Sequence, residues 1–89
     1  MPIISMFYGI IVALYFFDDN RHHKPHLHVK YQDKEAVIEI DNGKVIEGLL
    51  PKGKLKLVQA WIEIHSDELK ADWDLASKGE AVFKIDPLK

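Results

Sequence analysis

The chain has 89 residues, of which 47% are hydrophobic and 29% charged, with a formal net charge of −2 at pH 7. This length leaves room for one core, and we predict a single domain over residues 1–89. The balanced charge excludes a generally basic nucleic-acid-coating protein, although not an enzyme that acts on RNA or DNA. The absence of cysteine excludes disulfides and Cys-based zinc sites and suits a reducing cytoplasm, where we expect the protein to reside.

The N-terminal part of the chain predicts two strands, at about 3–6 and 8–17. The second segment is rich in β-branched and aromatic residues, which is typical of a central strand covered on both faces. Gly9 near its start suggests a bulge or a close approach of another part of the backbone. The apolar run from Met6 to Phe17 is far shorter than the roughly 20 residues of a membrane span and lacks signal-peptide features, so we expect no membrane association. A polar loop follows over residues 18–25.

Three further strands are predicted at about 26–32, 35–41 and 44–49. Polar and apolar residues alternate in the first two, and Ala36, Ile38 and Ile40 form one apolar face of the second. A two-residue loop at Asp33-Lys34 would join these strands. The Asn42-Gly43 pair predicts a type I′ hairpin turn before the last strand.

After Pro51 the apolar residues follow a helical period. Pro51 is suited to a first helical turn and Gly79 to a helix end, while Ser66 suggests a new N-cap between two helices. We therefore predict helices at about 52–65 and 67–78 and a tail over 80–89 that adds an edge strand or packs on a helix. The fold class is α+β: an antiparallel meander of about four strands followed by two helices packed on one face. The helical stripe contains Leu55, Val58, Ile62, His65, Leu69, Trp73 and Ala76.

A histidine-rich segment leads into the central hairpin and contains His22, His23, His26 and His28. His26 and His28 alternate with Leu27, so both point to one face of their strand. A loop at Asp33-Lys34 would place Leu27, Val29 and Tyr31 opposite the apolar residues of the next strand. The same register places His28 opposite Glu39 and His26 opposite Asp41, close enough for hydrogen bonds.

His26, His28, Glu39 and Asp41 could serve three different purposes, and the sequence leaves the choice open. They could catalyse acid–base chemistry, with Glu39 or Asp41 orienting a histidine, as in metal-independent RNA cleavage. They could bind a divalent metal with help from His22 or His23, although we assign no cofactor and no metal ligands. They could also form an ordinary polar face of a half-exposed sheet.

Two other groups of residues are candidate binding sites. Arg21 and Lys24 flank the histidines and would form an anion site if the loop lies near the lysines that open the first helix, although we favour the interpretation that they are ordinary surface residues. Trp61 and His65 lie on the helical stripe. They belong to the core by their spacing, and they would mark a partner-binding surface if they were exposed.

Several short motifs occur along nearly the whole chain, and each is weak alone while their combination is specific. They are Pro2-x-Ile4-Ser5-x-Phe7-Tyr8-Gly9-Ile10, Tyr15-Phe16 before an Asp-rich turn, Pro25-His26-x-His28, Glu47-Gly48-x-Leu50-Pro51, Trp61-x-x-x-His65 and Trp73-x-x-Ala76. Together they resemble the bacterial domain-of-unknown-function 4160 family. Where Pro25 is preceded here by His22-His23-Lys24, the family commonly has an Asn-Pro-type turn, so the resemblance does not extend to His22 and His23.

The resemblance implies a small stand-alone bacterial protein, often encoded beside a protein of the domain-of-unknown-function 2442 type. Such pairs look like toxin–antitoxin modules with this family as the toxin half. It follows that this protein would act by binding a cognate protein through its exposed sheet face or an edge strand, and a homodimer is a further option. The alternative is a small histidine-dependent nuclease or phosphodiesterase, possibly metal-assisted. DNA binding by the helices is disfavoured, since the second helix is mainly acidic.

Overall fold

The computed structural model describes residues 2–16 and 24–89. All neighbouring strands are antiparallel, and the strand order in the sheet equals the order in the chain. This arrangement confirms the predicted α+β meander, with five strands where about four were expected. The elements are β1 (Ile3–Phe7), β2 (Ile10–Ala13), β3 (His26–Tyr31), β4 (Lys34–Glu39), β5 (Val45–Gly48), α1 (Lys52–Ile64) and α2 (Ser66–Ser77).

One face of the sheet packs against the helices and forms the core. The alternation in β3 and β4 places Leu27 opposite Ile38 and Val29 opposite Ala36 on this covered face. All four are at most 2% exposed. They join one apolar cluster with residues of both helices, namely Val58, Trp61, Ile62 and Leu69.

The turn between β1 and β2 consists of Tyr8 and Gly9. Both residues have positive φ, 52° and 78°, as a type I′ turn requires. The predicted strand over 8–17 is therefore wrong at its start, because Tyr8 turns the chain. The predicted bulge at Gly9 is also wrong, since the irregularity lies between Ile3 and Ser5 of β1. Strand β2 ends at Ala13, and Phe17 is outside the described residues.

The turn between β4 and β5 is wider than predicted. A type I′ turn needs positive φ at both Asn42 and Gly43, and only Gly43 has it, at 69°. The Gly43 N–H instead donates to the Glu39 carbonyl at 2.9 Å, and the Asn42 side-chain oxygen accepts from the Lys44 N–H at 2.9 Å. The asparagine thus stabilises the turn through its side chain, an alternative open to this residue type.

The helix boundaries lie within one residue of the prediction. The break falls at His65, whose N–H donates to the Trp61 carbonyl at 3.0 Å. Ser66 is the first residue of α2 and does not provide the predicted side-chain cap. Among residues 2–16 and 24–89, no helix has both the length and the apolar character that crossing a bilayer requires.

The C-terminal tail packs along the molecule without forming a strand. The Ile85 N–H donates to the Ile4 carbonyl of β1 at 2.8 Å, and the Trp61 indole N–H donates to the Asp86 carbonyl at 2.8 Å. The Phe83 N–H donates to the Asp72 carboxylate at 3.0 Å. The tail therefore joins β1 to both helices.

Candidate functional site

The predicted pairing of the two histidines with carboxylates is wrong by two residues. The loop between β3 and β4 is Gln32-Asp33, with Gln32 at a φ of 54°, and Lys34 already belongs to β4. His26 therefore lies opposite Glu39, and His28 lies opposite Val37. A shift of two residues keeps every side chain on its face, so the alternation of the sequence is satisfied equally by both registers.

His26 is a structural residue at the start of β3. It is completely buried, and its Nδ1–H donates to the Lys24 carbonyl oxygen at 2.7 Å. Its ring lies 5.0 Å from the Trp73 ring of α2 and 5.5 Å from the His28 ring. The packing of Trp73 on His26 keeps this histidine away from solvent, although the sequence pattern places it on the uncovered face.

The two predicted catalytic carboxylates are separated from each other. Glu39 ends β4 and is only 9% exposed, and one of its oxygens accepts from the Asn42 amide at 3.3 Å. Asp41 is exposed in the β4–β5 turn, beyond the end of the strand. The structure does not bring His26, His28, Glu39 and Asp41 together as a four-residue site.

The predicted anion site is not assembled among the described residues. Lys24 lies 3.9 Å from the Glu39 carboxylate near the start of β3. At the opposite end of β3, the Lys54 ammonium donates to the Tyr8 carbonyl at 3.4 Å and lies 5.0 Å from the centre of the Tyr31 ring. Lys54 of α1 and Lys24 therefore lie at different ends of β3. Arg21 is outside the described residues.

Trp61 and His65 do not form an exposed surface. Trp61 is completely buried, and its ring packs on Phe7 at 5.4 Å. His65 is half-buried, and its Nδ1–H donates to the Glu68 carboxylate at 2.6 Å. Both residues therefore follow the core interpretation of the helical stripe, and neither is presented to a partner.

Within residues 2–16 and 24–89, no group of three or more His, Asp or Glu side chains is arranged to hold a metal ion. His22 and His23, which the metal interpretation would recruit, lie outside this part of the chain. No chemistry that depends on a metal is assigned to the described residues.

The second candidate site lies on the face of the sheet that the described residues leave uncovered, and its composition was only partly evident from the sequence. Two rows of paired residues cross this face. Both are apolar on β1 and β2 and carry polar or charged side chains on the later strands, apart from the apolar Val37 of β4. Directly paired side chains lie about 4.5–5.5 Å apart at Cβ, so each row is a continuous surface. The first row is Ile3, Ala13, His28, Val37 and Glu47, and the second is Met6, Ile11, Lys30 and Glu35.

These rows form a hollow of about 840 Å³, which we call the open-face concavity. Most residues of both rows line it, together with Tyr15 and Gly48. The Tyr15 ring meets the His28 ring edge to face at 4.6 Å. Burial raises the pKa of the Tyr15 hydroxyl, and the nearby Glu35 charge raises it further. The concavity thus combines an apolar floor with an aromatic pair and a carboxylate, a composition typical of binding sites.

The sequence contained one signal for this surface. Val37 is an apolar residue between Glu35 and Glu39 on the face that otherwise appears polar, and it is only 6% exposed. The contributions of Ile3, Ile11 and Ala13 depend on strand pairings that were predicted only in part.

A family model described as a domain of unknown function (DUF4160) matches residues 9–74. The match includes four of the five strands, α1 and most of α2, and therefore most of the open-face concavity. No curated protein and no solved structure matches the chain.

Proposed function

The chain belongs to the DUF4160 family, and we propose that it acts by binding a cognate protein on the open face of its sheet. In this proposal it is the toxin-like component of a two-protein module, and the partner is of the domain-of-unknown-function 2442 type. The toxin-like role and the type of partner come from what the family resemblance implies. The geometry of the sheet supports the choice of docking surface.

The observation that carries the docking proposal is the uncovered apolar half of the open face. Met6 is 61% exposed, Tyr8 in the adjoining turn 55% and Ile3 40%, and Ile11 and Ala13 lie beside them. Contiguous exposed apolar side chains with a polar border are typical of protein interaction sites. The expected occupant is a segment of the partner protein. Its apolar side chains would contact β1 and β2, and a charged side chain would contact β3 and β4.

The direct test is co-purification with the protein encoded by the neighbouring gene. Ile11→Glu places a charge in the apolar half of the concavity and should abolish the complex. Ile64→Glu is the matched control, because Ile64 is 65% exposed on α1 and should tolerate the same change without loss of the complex. Circular dichroism would establish that both variants fold. A complex that forms equally with Ile11→Glu would contradict docking on this face.

The toxin-like role has a separate test in the growth of cells that overexpress the protein. Growth arrest that is relieved by co-expression of the neighbouring gene product is expected. Arrest that the partner does not relieve would argue against an antitoxin relationship, even if the two proteins bind each other.

A histidine-dependent nuclease or phosphodiesterase is the second candidate, because His28 is half-buried and lines the concavity beside Tyr15. In this version His28 is the general base and His26 supports its ring. His28→Ala should then abolish RNA cleavage while the protein remains folded. His26→Ala would be a poor test, since the loss of a buried ring and its hydrogen bond would destabilise the strand. Unchanged cleavage by His28→Ala would exclude this candidate.

A further inference from the structure

The charged half of the open-face concavity contains a carboxylate that the fold does not use. Glu35 lies directly opposite Lys30 in the strand pairing, yet among the described residues its carboxylate makes no ion pair. Its side chain is exposed at the border of the concavity. Glu35 is therefore available to a ligand without breaking a contact of the folded protein.

The charge of Glu35 extends into the concavity. Tyr15 lies across the first row of residues, with its ring on His28, and the Glu35 charge adds to burial in raising the pKa of the Tyr15 hydroxyl. Glu35 and Tyr15 line the same concavity, with Lys30 beside them, so the carboxylate and the aromatic ring are both accessible to one ligand bound there. A cationic group is the complement of a negative field above an aromatic ring.

A guanidinium group matches these features better than an ammonium group. It is planar, so it can stack on an aromatic ring while its N–H groups contact a carboxylate in two places. It is also more weakly hydrated than an ammonium group, which favours it above the apolar floor provided by Ala13 and Val37. Apolar neighbours on β1 and β2 would hold the stem of the side chain and the residues around it.

We propose that the open-face concavity binds an arginine side chain of the partner protein, with its guanidinium between the Glu35 carboxylate and the Tyr15 ring. This inference rests on the proposed docking function and specifies its chemistry. Apolar contact with Ile3 and Ile11 would supply the buried area of the interface. The arginine would make the interaction specific and fix the position of the partner on the sheet.

The inference is tested first without the partner. Isotopically labelled protein is titrated by NMR with the blocked amino acid N-acetyl-arginine methylamide and with its uncharged citrulline analogue, at constant ionic strength. Saturable shifts of Tyr15, His28 and Glu35 are expected with the arginine probe and not with the citrulline probe. Equal shifts with both probes, or no saturable shift with either, would overturn the inference.

Glu35→Gln removes the charge and should weaken binding of the arginine probe about two- to fivefold, as the loss of an exposed ion pair implies. Glu80→Gln is the matched control, because Glu80 is exposed in the tail and does not line the concavity. Equal weakening in both variants would show general electrostatic attraction and would overturn the specific site.

The complex with the neighbouring gene product separates this inference from the docking proposal. If Ile11→Glu and Glu35→Gln both weaken the complex, both proposals are supported. If only Ile11→Glu does so, the arginine inference fails and docking on this face stands. If neither variant weakens the complex, both fail.

Discussion

The same strands form both faces of the sheet, but one face is buried against the helices and the other is not covered by the described residues. On β4, Ala36 and Ile38 face the helices and are at most 2% exposed, whereas Glu35 on the other face borders a hollow that the described residues leave uncovered. The same division holds on β3, where Leu27 and Val29 pack in the core and Lys30 is exposed. One face forms the core that stabilises the fold, and the other is the surface on which we propose that a partner docks.

The two faces should respond differently to substitution. Apolar residues occur on both faces of the strands, and the sequence does not distinguish the effects of replacing them. A substitution on the covered face should lower stability most, and a substitution on the open face should mainly affect the proposed docking. Three comparisons of substitutions test this division, and the substitution in the core should have the largest effect.

Ile38 and Ile11 are the same residue type on opposite faces. Ile38→Ala should lower the free energy of unfolding by about 2–5 kcal/mol, because Ile38 is completely buried in the core. Ile11→Ala should cost less than half as much, since Ile11 is half-buried on the open face. Urea unfolding of both variants measures the difference. Equal losses would show that the open face contributes as much to stability as the core.

Gly48 is the last residue of β5, and Gly79 follows the end of α2. Alanine at these two positions therefore compares the sheet with a helix end. Both have positive φ, 78° and 74°, so alanine at either position costs about 1–2 kcal/mol from the left-handed backbone alone. At Gly48 a Cβ would also overlap the Glu35 carbonyl oxygen, whereas at Gly79 it would meet no atom. Thermal unfolding should therefore show a clearly larger loss for Gly48→Ala. A loss no larger than that of Gly79→Ala would mean that β5 can move away from β4 at little cost.

Substitution of Asp72 should have the smallest effect on the free energy of unfolding, and the size of this effect depends on pH. Burial raises the pKa of the Asp72 carboxyl above its ordinary value of 3.8, the Phe83 N–H opposes this, and the Glu68 charge adds to it. The folded protein then holds a proton that the unfolded chain has lost, so stability falls as pH rises from 3.8 through the raised pKa. Asp72→Asn cannot ionise, and its stability relative to the wild type should increase over this window.

Urea unfolding of the wild type and Asp72→Asn from pH 3.8 to neutral pH measures this change. Asp67→Asn is a suitable control because Asp67 is exposed on the same helix and should show no comparable gain. A difference between wild type and Asp72→Asn that stays constant with pH would show that the buried carboxyl does not change its proton affinity on folding.

The fold class, the two helices and the family resemblance were predicted correctly because they depend on local patterns. The helical stripe that includes Val58, Ile62 and Leu69 fixed α1 and α2 to within one residue, since helix formation depends on neighbours three and four positions apart. The alternation in β3 and β4 likewise identified which residues face the core. The family motifs led to the same family that the model match over residues 9–74 identifies.

The candidate site was predicted less well, since it depends on contacts between distant segments. His26 is on the predicted face of its strand but is buried beneath Trp73, which lies in α2 and is remote in sequence. The concavity needs Ile3, Ala13 and Val37 to lie in one row, and this requires three strand pairings at once. No local pattern specifies pairings of that kind.

His26 and His28 show what the sequence determined and what only the tertiary structure decided. The sequence by itself determined that His26 and His28 share a face of β3, because side chains alternate strictly along a strand. It could not determine their partners, because alternation leaves registers that differ by two residues equally satisfied. The tertiary structure decided this through the turn: with Gln32 at positive φ, β4 begins at Lys34 and His28 lies beside Val37 on the open face.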